Sequence, residues 1–124
     1  MNSAIIEMLR RVGIPAHVKG YEYLKKAISL CQQDKSYIEA VTKQLYPTIA
    51  KEFGTTGSRV ERAIRRAIEL GYNRGDPEML NHIFGYTISA QRGKPTNSEF
   101  IATLLEQLNL ESGEVVKYPK EISL

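Results

Sequence analysis

The segment from Ser58 to Arg74 constrains the fold more than any other, because aliphatic and arginine residues separate onto opposite sides of a helix there. At about 100° per residue, one arc of about 160° holds the aliphatic side chains and a glycine: Val60, Ala63, Ile64, Ala67, Ile68, Leu70 and Gly71. The opposite arc is polar: Ser58, Arg59, Glu61, Arg62, Arg65, Arg66 and Glu69. The segment therefore predicts a helix with one side in a core and the other side in water.

Helical patterns and their end signals continue along most of the 124 residues, and they predict an all-α domain. Predicted helices cover about 3–12, 21–32, 36–45, 47–53, 57–74, 77–84 and 96–108. Thr96 and Glu99 have the spacing of a capping box at the start of the last helix. Residues 1–110 are expected to form the domain, and the polar residues 111–124 a flexible tail.

The segment from Tyr46 to Leu70 has the order of a helix-turn-helix motif. Pro47 is typical of the first turn of a helix, and Gly54 is a typical helix end. Thr55 or Thr56 can then cap the longer second helix through a side-chain hydroxyl.

The charge of the second helix favours double-stranded DNA as the partner. Residues 58–74 contain five arginines and two glutamates, and this local excess equals the net charge of +3 of the whole chain. A helix fits the major groove, where guanidinium groups pair with guanine and carboxylates accept from cytosine. Two alternatives stay open: a solvated face with Glu61–Arg65 and Glu69–Arg65 pairs, or a helical module that contacts the transcription machinery without binding DNA.

Other residues exclude several classes of function. No set of side chains suits catalysis or zinc binding, so an enzyme, a metal site or a cofactor is not expected. The single cysteine, Cys31, indicates a reducing compartment, and no apolar run reaches the roughly 20 residues of a membrane span. We therefore expect a cytoplasmic protein.

Five strings of the chain resemble, in order and spacing, the C-terminal effector domain of the stage zero sporulation protein A family, the master sporulation response regulators of endospore-forming bacteria. They are GIPAHVKGY (13–21), LYPTIAK (45–51), TTGSRVERAIR (55–65), FGYT (84–87) and KPTNSEFIA (94–102). The resemblance covers about 5–110.

The resemblance implies an all-α regulator of about six helices that binds TGTCGAA-like promoter boxes and activates or represses sporulation genes. It assigns base reading to Arg59, Glu61 and Arg62, and phosphate contacts to Arg65 and Arg66. We also expect phosphate contacts from hydroxyl groups near the start of the helix: Thr55, Thr56 and Ser58. It further implies contact with an RNA polymerase sigma factor through Asn81, Phe84 and Ile88, and paired binding of two copies on adjacent boxes.

Overall fold

The computed structural model describes residues 3–85 and 93–113, which fold into seven α-helices and one π-helical segment without a strand in those ranges. The all-α prediction is confirmed. The helices are α1 (Ser3–Arg11), α2 (Lys19–Gln33), α3 (Ser36–Glu39), α4 (Tyr46–Phe53), α5 (Gly57–Arg74), α6 (Pro77–Phe84) and α7 (Asn97–Glu111), and the π-helical segment is Val41–Leu45.

Helix α5 lies at the centre of the packing and contacts α2, α4 and α7. Its apolar side, together with residues from the other helices, forms one continuous core. Among the largest fully buried side chains of that core are Leu9, Leu24, Ile28, Leu45, Ile49, Ile64, Phe84 and Phe100. The predicted amphipathic helix is therefore held by apolar contacts on several sides, and only its polar face is left to solvent.

Helices α2 and α5 cross at close range because Gly20 has no side chain. A Cβ atom at Gly20 would overlap the carbonyl oxygen of Ala63 and lie 2.7 Å from the Cβ atom of Ala67. Both neighbours belong to the buried side of α5, and one of them is backbone that cannot swing away. The glycine thus sets the distance between α5 and the helix that supports it.

We predict that Gly20→Ala lowers the free energy of unfolding by about 1–3 kcal/mol, because the added methyl group must push α2 and α5 apart. Chemical denaturation measures the change. Gly57→Ala is the matched control, since a Cβ atom there meets its nearest neighbour, the Cβ atom of Tyr46, at an ordinary 3.6 Å. We expect the control to be neutral or slightly stabilising. Equal stability of Gly20→Ala and the unchanged chain would contradict the close crossing.

The predicted third helix, 36–45, is interrupted. Helix α3 ends at Glu39, Ala40 leaves the helical region with φ −140° and ψ 55°, and Val41–Leu45 forms a π-helical turn that runs directly into α4. Pro47, which has no N–H group to donate to the helical ladder, lies in the first turn of α4, directly after the π-helical turn. The described residues thus contain seven α-helices, one more than the resemblance implies.

The last helix extends to Glu111, three residues beyond the predicted end. The guanidinium group of Arg11, at the end of α1, donates to both carboxylate oxygens of Glu111 at 2.6 and 3.0 Å. This pairing, with a further bond from Gln107, lowers the pKa of Glu111 to about 2. Glu111 therefore belongs to the folded domain, while residues 114–124 of the predicted tail lie outside the described part of the chain.

Candidate nucleic-acid interface

Helices α4 and α5 form the predicted helix-turn-helix, with a sharp turn at Gly54. Gly54 adopts the left-handed conformation (φ 67°, ψ 40°), which a residue without a Cβ atom reaches at no steric cost. Its N–H group and that of Thr55 both donate to the carbonyl oxygen of Ala50. Pro47 occupies the first turn of α4, so both predicted end signals of that helix are confirmed.

The start of α5 is capped by Thr56, which settles the choice between the two threonines. The Thr56 hydroxyl accepts a hydrogen bond from the backbone N–H of Arg59 at 3.3 Å, and the Ser58 hydroxyl lies 3.4 Å from it. Thr56 and Ser58 are exposed, and Thr55 is half-buried. Hydroxyl groups and backbone N–H groups therefore meet at one end of the arginine-bearing face.

The two sides of α5 separate as predicted. Its buried residues are Val60, Ile64, Ala67, Ile68 and Gly71, and its exposed ones include Arg59, Arg62, Arg65, Arg66 and Glu69. Arg59, Arg62 and Arg66 make no ion pair with any carboxylate of the described residues. Within that part of the chain, no carboxylate competes with water or an external anion for their guanidinium groups.

Glu61 and Arg65 form the pair expected one turn apart on a helix. The guanidinium nitrogens of Arg65 lie 2.7 and 3.2 Å from the two carboxylate oxygens of Glu61. The Glu61 side chain is 31% exposed and that of Arg65 is 54% exposed. The Glu61–Arg65 pair of the solvated-face alternative is therefore present. Among the described residues it involves one of the four arginines on this face.

A buried amide that sequence reasoning missed connects this site to the last helix. Asn97, the first residue of α7, donates through Nδ2 to the hydroxyl of Tyr46 and to the backbone carbonyl oxygen of Glu61, both at 3.0 Å. Burial raises the pKa of the Tyr46 hydroxyl. Nothing in the local pattern distinguishes Asn97 from a surface residue, because its partners lie 51 and 36 positions away.

The three residues expected to contact a sigma factor have different surroundings. Asn81 is exposed on α6 and available to a partner. Phe84 is fully buried, with its ring stacked on that of Phe100 at 5.2 Å between centroids and tilted against that of Tyr72 at 5.8 Å. A direct partner contact by Phe84 is therefore wrong for this structure, since its side chain packs in the core. Ile88 lies outside the described residues.

Comparison with known protein families gives one match over nearly the whole chain. The family model described as the C-terminal domain of the sporulation initiation factor Spo0A matches residues 5–108. The matched range contains the helix-turn-helix, the buried amide and all of α6. In the described part of the chain, no helix is both long enough and apolar enough to cross a membrane.

Proposed function

The chain belongs to the family of Spo0A C-terminal domains, which are DNA-binding regulators of sporulation, and we propose that α5 is the helix that reads bases in the major groove. The observation that carries this proposal is the row of exposed guanidinium groups on Arg59, Arg62 and Arg66, none paired with a carboxylate of the described residues. Unpaired arginines repel one another in the free protein, and the dense negative charge of duplex DNA offsets that repulsion.

Arg59, Glu61 and Arg62 are the proposed base readers. Each guanidinium group offers a planar fork that matches the O6 and N7 acceptors of guanine. The carboxylate of Glu61 accepts one bond per oxygen from Arg65, so each oxygen retains a lone pair for the N4 amino group of cytosine. These three side chains suit the mixed guanine and cytosine content of a TGTCGAA-like box.

The proposed phosphate contacts surround these readers. Arg66 is unpaired among the described residues, and Arg65 retains guanidinium donors beyond the two that Glu61 accepts. The hydroxyl groups of Thr55, Thr56 and Ser58 lie at the start of α5, where the helix dipole and free backbone N–H groups favour an anion. Contacts of this kind position a protein on the duplex and carry no sequence information directly.

Two further partners are part of the proposal. We infer that the exposed surface of α6 around Asn81 contacts an RNA polymerase sigma factor, and that two copies of the chain bind adjacent boxes. The position of Asn81 outside the packed core supports the first inference. Both inferences follow from the family resemblance.

Binding to duplex DNA at increasing salt tests the function. We expect the logarithm of the binding constant to fall linearly with the logarithm of salt concentration, with a slope of roughly −0.9 for each phosphate neutralised and hence of about −2 or steeper for Arg65 and Arg66 together. We also expect a duplex carrying the TGTCGAA box to bind more tightly than a scrambled duplex of equal length. A salt-independent affinity without preference for the box would instead favour a helical module that contacts proteins alone.

A further inference from the structure

We propose that Asn97 is a positioning residue for base reading: its buried amide sets the orientation of α5, and thereby the bases that Glu61 and Arg62 meet. The inference rests on the proposed function, because it concerns how the same helix is aimed. It assigns a role in DNA recognition to a residue of α7 that is itself only 8% exposed.

The amide of Asn97 bonds to both helices of the helix-turn-helix at once. One hydrogen bond ends on the hydroxyl of Tyr46, the first residue of α4, and the other ends on the carbonyl oxygen of Glu61 in α5. The two N–H bonds of a side-chain amide lie in one plane and at a fixed angle to each other. Asn97 therefore constrains the two helices relative to each other as well as to α7.

Asn97 is itself held in place by the first turn of α7. Thr96 and Glu99 form the complete capping box: the N–H of Glu99 donates to the Thr96 hydroxyl at 3.2 Å, and the N–H of Thr96 donates to the Glu99 carboxylate at 2.9 Å. These bonds fix the backbone on either side of Asn97. The amide therefore projects from a rigid helix end. If α5 shifts, Asn97 can follow it only by disrupting the capping box.

The contact point on α5 lies within the base-reading segment. Asn97 contacts the backbone of Glu61, one residue before Arg62 and two after Arg59. A roll of α5 by about 10° about its axis moves side-chain atoms about 1 Å, because side chains extend roughly 5–6 Å from that axis. A displacement of this size exceeds the tolerance of a positioned recognition group. The orientation of α5 therefore affects which base edge each side chain reaches.

The experiment measures base preference rather than affinity alone. The preferred duplex of the unchanged chain is first selected from randomised duplexes, and dissociation constants are then measured for that duplex and each of its single base-pair variants. The same set is measured for Asn97→Ala and for the milder Tyr46→Phe, which removes one acceptor and leaves the bond to Glu61. Ile5→Val is the control, since it removes one buried methylene from α1, which contributes no residue to this hydrogen-bond network. Circular dichroism verifies that each variant is folded at the temperature used.

A bidentate base contact contributes on the order of 5- to 150-fold in discrimination against the wrong base. We expect Asn97→Ala to reduce discrimination at the base pairs read by Glu61 and Arg62 by about tenfold, and Tyr46→Phe to reduce it less. We expect the dissociation constant for random duplex to stay within about twofold of that of the unchanged chain, and the salt slope to stay the same, because phosphate contacts tolerate small shifts. Ile5→Val is expected to keep every preference of the unchanged chain.

Three results separate the possibilities. Altered base preference in the folded Asn97 and Tyr46 variants, with none in Ile5→Val, supports the positioning role. Unchanged preferences in both folded variants, with loss only of thermal stability, overturn that role and leave the proposed function intact. If the unchanged chain selects no preferred duplex, base reading by α5 is itself overturned, and the positioning role with it.

Discussion

Arg62→Ala is expected to weaken binding to the preferred duplex by on the order of 1–3 kcal/mol and to relax base preference at a single position. Arg62 lies near the middle of the polar face of α5, is exposed, and has no ion pair among the described residues. Its removal therefore takes away the proposed base contact without leaving a buried carboxylate unpaired. Titration of the box and its single base-pair variants by fluorescence anisotropy measures both effects.

Arg66→Ala is the matched comparison, four residues or about one turn further along the same helix and likewise exposed. Because Arg66 is proposed to contact phosphate, its loss should weaken binding to the box and to random duplex by the same factor and reduce the magnitude of the salt slope by about one. If both variants lowered specific and random binding alike, the division between base contacts and phosphate contacts on α5 would be wrong.

Phe84→Ala is expected to lower the free energy of unfolding by about 3–5 kcal/mol, a large part of the stability of an ordinary domain. The ring is fully buried and stacks on Phe100, so its removal leaves a cavity between α6 and α7 and loses an aromatic contact. Chemical denaturation monitored by circular dichroism measures the change. An activation defect in this variant would then follow from unfolding rather than from a lost partner contact.

Asn81→Ala separates stability from partner binding on the same helix. Asn81 is exposed, so its truncation should change the free energy of unfolding by no more than about 0.5 kcal/mol. If α6 contacts a sigma factor, the same variant should bind DNA normally and lose activation in a transcription assay. A stable Phe84→Ala variant that fails only in activation would restore Phe84 as a direct contact residue.

Local signals were sufficient for the elements of the site. The predicted bounds of α5, 57–74, agree with the structure because both the hydroxyl cap and the separation of the two faces depend on residues within a few turns. The glycine turn at Gly54 and the capping box at Thr96 are equally local. The proposed roles of Arg59, Glu61 and Arg62 rest on the family resemblance, because a pattern of charge indicates an anionic partner but does not distinguish base contacts from phosphate contacts.

The tertiary structure alone decided how those elements meet. The spacing of Leu80 and Phe84 indicates a buried side of α6, but only the packing shows that the Phe84 ring stacks on Phe100 of α7. The hydrogen bonds of Asn97 to Tyr46 and Glu61 join residues of three helices, and the close approach at Gly20 depends on the crossing of two. Sequence periodicity determined that α5 has a buried and an arginine-bearing side, because periodicity and capping are properties of one short segment. The direction in which that side faces depends on contacts between distant segments, which form only when the helices pack.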